Sequence, residues 1–188
     1  DFTVGVLMRM AKGWHTDWEN PGAAGLPTKI SWTLPGGIAA GDISWPVPHK
    51  YNESGDVLTY GYADETMLLV PMKASRALAP GSMVTLKAEV TWLECERVCI
   101  PGRSEVELTL RVGTEGPVPQ SAAAIARYRA QIPQPGSALV DVRTSVQQRD
   151  LVVLLSPRDG KRLRVEPGVV PDFYPGPLEG FQTGRTTV

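Results

Sequence analysis

The sequence lacks an excess of charge of either sign. Its 19 lysine and arginine residues nearly cancel its 20 aspartate and glutamate residues. No broad basic field therefore exists to attract phosphate groups or anionic lipid. We expect no nucleic-acid partner. The length of 188 residues allows one or two domains, each able to bury its own core.

Long hydrophobic segments and a recognisable signal peptide are also missing. Apolar runs such as Met67–Met72 and Leu151–Leu155 are far shorter than the roughly 20 residues that a membrane-spanning helix needs. The chain opens within a segment that already has the pattern of a β-strand. We therefore interpret it as a fragment of a longer protein, so the missing targeting signal says little about location.

Turn-forming residues and alternating apolar residues dominate what is present. The 19 glycines and 17 prolines accompany ample apolar residues, a composition that indicates many turns between short strands and not disorder. Apolar side chains occupy every second position in residues 2–10, 29–34, 84–92 and 105–112. Because successive strand side chains point to opposite faces, each segment should have one buried and one solvated face. The predicted fold class is all-β, an antiparallel β-sandwich.

The pattern changes after Gly116. Helix-forming residues run from Ser121 to Gln131, with Ser121 as a possible N-cap and a proline near each end. Strand-like segments then resume at residues 138–143, 151–155 and 161–165. We predict a sandwich domain over residues 1–116, a short helical connector over 117–136, and part of a second β domain over 137–188.

The sequence contains one pair of cysteines, Cys95 and Cys99, directly after the third alternating segment and before Pro101-Gly102. A structural disulfide is one interpretation, but a loop of about five residues stabilises a fold by only about 2 kcal/mol in the chain-entropy model. A metal site is another, but the two histidines, His15 and His49, lie at no ligand-like spacing from the cysteines.

A redox pair is the third interpretation. In a continuous strand, residues four apart would be separated by about 13 Å, beyond disulfide reach. The chain must therefore turn between the cysteines. A short, exposed loop favours thiol–disulfide exchange, and Arg97 could lower the pKa of a thiol although Glu94 and Glu96 oppose it. The residues alone leave the redox and structural interpretations open.

Several motifs resemble one family. Residues 13–27, GWHTDWENPGAAGLP, together with residues 92–102, WLECERVCIPG, resemble the N-terminal periplasmic region of ScsB-type proteins in the DsbD superfamily. The Tyr60-Gly61-Tyr62 motif and residues 84–88 support the likeness, which is dense over residues 1–112. Beyond residue 137 it is weak, although residues 172–175 resemble a motif of the family's second immunoglobulin-like domain.

The resemblance implies an immunoglobulin-like domain that works in thiol–disulfide exchange without a cofactor or a metal. In such a relay, a membrane-embedded domain of the same full-length protein passes reducing equivalents to this domain. The domain then delivers them to periplasmic thioredoxin-fold proteins of the disulfide isomerase or reductase type. Cys99 resembles the cysteine that forms mixed disulfides, and Cys95 resembles the resolving cysteine. Tyr60, Gly61 and Tyr62 resemble part of a cap loop that shields the pair.

The resemblance also implies a periplasmic location as part of a larger inner-membrane protein. Two other functions stay open. One is a β-sandwich binding module with an inert disulfide. The other is a periplasmic copper-binding protein, because Met8, Met10 and His15 include the soft ligands that copper prefers and the family is associated with copper tolerance. Met8 and Met10 share their parity with Val4 and Val6, which favours core packing. No Ser/His/Asp triad, phosphate loop or paired-carboxylate motif is recognisable.

Overall fold

The computed structural model describes residues 1–52, 57–113, 116, 118–135, 140–158 and 172–177. Within these residues the chain forms eleven strands and one helix: β1 Phe2–Arg9, β2 His15–Gly22, β3 Lys29–Thr33, β4 Ile38–Ala40, β5 His49–Asn52, β6 Leu58–Ala63, β7 Glu65–Ala74, β8 Met83–Cys95, β9 Cys99–Arg111, α1 Pro119–Arg129, β10 Val140–Gln147 and β11 Asp150–Pro157. The single helix in this described part of the chain is too short to cross a bilayer.

The strands β1 to β9 build two antiparallel sheets. One has three strands in the order β1-β7-β4, and the other has six, in the order β3-β8-β2-β6-β5 with β9 paired to the free side of β8. Side chains from both sheets share one core, in which Met8 and Leu68 of the smaller sheet contact Trp18, Tyr60 and Tyr62 of the larger one. The predicted all-β, immunoglobulin-like sandwich is confirmed.

The alternating segment of β8 behaves as its pattern predicts. Leu86, Ala88 and Val90 are buried, whereas Lys87 between them is exposed. The β9 segment behaves differently, because Val106 and Leu108 are 41% and 43% exposed. They lie opposite Ala88 and Leu86 in register, and so on the inner face, but β9 is the outermost strand beside β8. An edge strand leaves its inner face less covered than a central strand.

The helix α1 packs against the smaller sheet. Tyr128 is buried against Met67 and Leu69 of β7, and its hydroxyl donates a hydrogen bond of 2.8 Å to Glu65. Pro119 begins the helix, where its missing N–H costs nothing. The connector predicted for residues 117–136 therefore shares a core with the sandwich, while the domain boundaries themselves stay predictions.

The chain divides into two compact units. The first contains the described residues from Asp1 to Ile132 and the segment 174–177, in which Tyr174 contacts Trp18 and Tyr60 edge-on. The second lies between Pro133 and Phe173, and its described strands β10 and β11 form one antiparallel hairpin. Two of the strand-like segments predicted in this region coincide with that hairpin, and the third, residues 161–165, lies outside the described residues.

Candidate functional site

The two cysteines lie at the end of a long β-hairpin. Strands β8 and β9 pair continuously from Met83 opposite Arg111 to Cys95 opposite Cys99. Residues 96–98 form the turn between them, so the chain reverses at the point where the spacing required it to. Cys95 and Cys99 are joined by a disulfide, with their Cα atoms 4.1 Å apart. This separation is slightly below the usual range of about 4.4–6.8 Å, because the cysteines face each other directly beside a tight turn.

The cysteines differ in exposure. Cys95 is only 7% exposed, whereas Cys99 is exposed together with its neighbours Val98 and Ile100. A sulfur must be reached in line by an attacking thiolate, so exchange with another protein takes place first at the accessible cysteine.

An open cavity of about 380 Å³ adjoins the disulfide. Its walls come from strands that are distant in sequence but adjacent in the larger sheet, since His15 of β2 pairs directly with Cys95 of β8. Directly paired residues, and those two positions away along each strand, share one face of a sheet. The cavity is lined by His15, Asp17, Ala24, Gly25, Val57, Thr59, Cys95, Glu96, Arg97 and Cys99.

Asp17 is a buried carboxyl in the wall of this cavity. It is 2% exposed, and its Oδ2 accepts a hydrogen bond of 2.8 Å from the backbone N–H of Leu26. Loss of water around the carboxylate raises the pKa of Asp17 to about 6, and the hydrogen bond from Leu26 opposes this shift. The group therefore changes its charge near neutral pH.

Two further polar side chains complete the wall. The ring of His15 stacks on Tyr51, with ring centroids 4.5 Å apart and an angle of 13° between the planes. Thr59 is buried, and its hydroxyl has no hydrogen-bond partner among the described residues. The disulfide thus lies beside a carboxyl, an imidazole and a hydroxyl that has unused hydrogen-bonding capacity.

The proposed cap residues lie elsewhere. Tyr60, Gly61 and Tyr62 are consecutive buried residues of β6, and none of them lines the cavity. Tyr60 and Tyr62 point into the sandwich core, where the Tyr62 hydroxyl donates a hydrogen bond of 2.6 Å to the carbonyl of Pro46. A side chain at Gly61 would overlap the backbone of Thr16. These positions support packing of the sheet, and a shielding role for the three residues stays a prediction that their placement does not support.

The residues considered for copper are also separated by the fold. Met8 is buried in the core, and Met10 packs against the same cluster. Met8 belongs to β1 of the smaller sheet and Met10 directly follows that strand, whereas His15 lies in the larger sheet, stacked on Tyr51. Within the described part of the chain, no group of three or more His, Cys, Asp or Glu residues is arranged to hold a metal ion.

Asp17, Thr59 and Tyr51 were not predicted as site residues. One signal for Asp17 is present in the sequence, because it stands two positions from His15, with Thr16 and Trp18 as neighbours on the other parity. A carboxyl within such a strand is unusual unless it has a role or a partner. Nothing comparable marks Thr59 or Tyr51, whose proximity to the disulfide follows from strand pairing alone.

Comparison with known proteins gives two matches. The family model described as thiol:disulfide interchange protein DsbD, N-terminal, matches residues 1–111. The crystal structure of the N-terminal periplasmic domain of ScsB from Proteus mirabilis has a TM-score of 0.58 and 24% sequence identity, over 83% of this chain and 59% of that chain. This chain thus spans less than two thirds of that one, and the likeness concerns the fold. No curated protein sequence matches.

Proposed function

The chain belongs to the family of N-terminal domains of DsbD thiol:disulfide interchange proteins, and on this premise we propose that Cys95 and Cys99 form its redox-active pair. The observation that carries the proposal is the asymmetric exposure of the bonded cysteines at the tip of the β8–β9 hairpin. A disulfide that only stabilises the fold needs no accessible sulfur. It would also gain little here, about 2 kcal/mol for so short a loop.

The proposed partners are thioredoxin-fold proteins in the periplasm, and the proposed source of electrons is a membrane-embedded domain of the same full-length protein. In the reduced domain, the Cys99 thiolate attacks a sulfur of the partner's disulfide. One partner sulfur leaves as a thiolate and a mixed disulfide forms. The Cys95 thiolate then attacks the Cys99 sulfur. The second partner sulfur leaves, and the Cys95–Cys99 bond re-forms, so two electrons have passed to the partner.

The roles of the two cysteines follow from their exposure. Both cysteines line the cavity, but Cys99 is exposed to a second protein whereas Cys95 is only 7% exposed. Val98 and Ile100, which flank Cys99, are 65% and 45% exposed. They give the tip of the hairpin an apolar rim that a partner's active-site surface can cover while the sulfurs react.

Trapping of the mixed disulfide tests the proposal. The Cys95→Ser variant, mixed with an oxidised thioredoxin-fold protein, should accumulate a covalent complex because no resolving thiol remains. Cys99→Ser is the matched control and should accumulate far less, since its remaining thiol is buried. Both variants should stay folded, because loss of the bridge costs only about 2 kcal/mol.

Non-reducing electrophoresis and intact-mass measurement detect the complex. Trapping by Cys99→Ser alone would reverse the two roles and keep the pair redox-active. No complex with either variant, together with unfolding of both, would identify an inert disulfide in a binding module and overturn the proposal.

A further inference from the structure

The buried cysteine poses a chemical problem that the exposed one does not. Before it can attack the mixed disulfide, the Cys95 thiol must lose its proton, because only the thiolate is a nucleophile. Cys95 is 7% exposed, and burial raises the pKa of a thiol by disfavouring its charged form. The resolving step therefore benefits from a nearby base that takes the proton.

Asp17 is placed to supply that base. His15 is paired with Cys95 across β2 and β8, and Asp17 stands two residues further along β2, on the same face of the sheet. Asp17 and Cys95 both line the cavity beside the disulfide. The cavity volume of about 380 Å³ is large enough for several water molecules, which can carry a proton between the two groups.

Thr59 is a further polar residue in the wall of this cavity. Thr59 is 95% buried, being 5% exposed, and it lines the same cavity. Its Oγ1 makes no hydrogen bond within the described chain, although buried hydroxyls nearly always have a partner. Because this oxygen is almost inaccessible to water, the water that links Asp17 and Cys95 lies in the open part of the cavity.

We propose that Asp17 accepts the proton of the Cys95 thiol through water in this shared cavity, and returns it to the departing partner thiolate. The proposal rests on the proposed exchange function. In this resolving step the Cys95 S–H bond and the mixed disulfide break, and the Cys95–Cys99 bond forms. The proton of Cys95 reaches the departing partner sulfur through Asp17. No reagent other than the partner disulfide is consumed.

The ionisation of Asp17 suits this role. Burial raises its pKa to about 6, and a general base works best when its pKa lies near the operating pH. The charged and titratable groups that face this region come from β2, from β5 and from the hairpin turn. They are His15, His49, Tyr51, Glu96 and Arg97.

A structural role for Asp17 alone has a different signature. Its Oδ2 holds the backbone N–H of Leu26, and an asparagine side chain at the same position still offers an oxygen to that N–H. The Asp17→Asn variant therefore keeps the loop contact and removes only the base. A pure loop-anchoring role predicts little change in this variant at any pH.

The experiment follows both steps of exchange in one reaction. The fully reduced protein is mixed with oxidised glutathione, quenched with acid and analysed by intact mass, so that the mixed disulfide is seen to form at Cys99 and then to decay. We expect Asp17→Asn to form it within about twofold of the wild-type rate and to resolve it at least about tenfold more slowly at pH 7.

The pH profile separates proton transfer from altered geometry. Wild-type resolution should rise between pH 5 and 7 as Asp17 ionises, and the Asp17→Asn profile should lack this rise and increase only at alkaline pH. A profile of unchanged shape in Asp17→Asn would overturn the proton path while leaving the exchange function intact. Absence of any mixed disulfide, even in Cys95→Ser, would instead contradict the exchange function itself.

Discussion

Burial of Asp17 in the fold disfavours the charged form of its carboxyl. An ordinary aspartate has a pKa of 3.8, and burial raises that of Asp17 to about 6. The folded protein therefore holds this proton more tightly than the unfolded chain does. By linkage, the contribution of Asp17 to stability is fully present below about pH 4 and is lost as pH rises through about 6.

This linkage predicts the effect of a neutral replacement. Asp17→Asn should raise the free energy of unfolding relative to wild type above pH 7, by up to about 3 kcal/mol compared with the difference between the two proteins at pH 3.5. Urea denaturation of both proteins at the two pH values measures the change. A difference in stability that is independent of pH would show that the carboxylate is not desolvated in the folded state.

Asp17 also shows how a functional group can lower the stability of the protein that contains it. Replacement of Asp17 by Asn should stabilise the protein at neutral pH and slow resolution of the mixed disulfide. Opposite signs for stability and activity are typical of residues retained for chemistry, because active sites often carry a cost in folding energy. A residue that only anchors the loop at Leu26 has no reason to show both effects.

For single strands, the alternation of buried and exposed residues could be predicted from the sequence more readily than the position of the strand in its sheet. The buried parity of β8 at Leu86, Ala88 and Val90 is as predicted. The exposure of Val106 and Leu108 is not, because it depends on β9 being the outer neighbour of β8. Local pattern encodes which residues share a face, and long-range pairing decides what covers that face.

In the functional site, too, some features follow from local sequence and others from long-range strand pairing. The cysteines, their position at a strand end and the turn between them follow from residues 92–102, which are contiguous. The position of His15 beside Cys95 arises from pairing between β2 and β8, and that of Thr59 from pairing between β2 and β6. Such contacts bring together residues about 40 to 80 positions apart, and no local spacing announces them.

The placement of β6 also makes the shielding hypothesis testable. Tyr60 is 1% exposed within the core, so Tyr60→Ala should lower the free energy of unfolding by about 3–5 kcal/mol through lost burial and a new cavity. If the variant stays folded, alkylation of reduced Cys99 by a bulky maleimide should keep its wild-type rate. Faster alkylation with unchanged stability would restore the cap and contradict the core placement.

In the first unit, a helix and a later segment of the chain pack on the two sheets. The helix α1 covers β7 through Tyr128, and the segment 174–177 returns to the unit, where Asn20 donates a hydrogen bond of 2.9 Å to the carbonyl of Pro175. Tyr174 adds a third ring to the contact between Trp18 and Tyr60, and Lys50 lies 4.8 Å from its ring centre. These contacts add to the packing of β2, β5, β6 and β7 in the first unit.

A redox relay requires that the fold of the first unit survive reduction of the disulfide. The bridge closes a very short loop, so its loss should cost only about 2 kcal/mol, a modest part of the about 5–15 kcal/mol that stabilises most domains. The reduced and oxidised forms should therefore share one fold. They should differ mainly at the tip of the hairpin, where residues 96–98 connect the cysteines.

The midpoint potential of the Cys95–Cys99 pair in the folded protein tests most directly whether the pair is redox-active. It is obtained by equilibration with glutathione or dithiothreitol redox buffers and counting of free thiols by mass. A redox-active pair should show a reversible two-electron transition above about −300 mV, in the range of exchange catalysts, with the circular dichroism of the folded protein unchanged on reduction. A potential below about −300 mV, with loss of the folded spectrum when the bond opens, would contradict it.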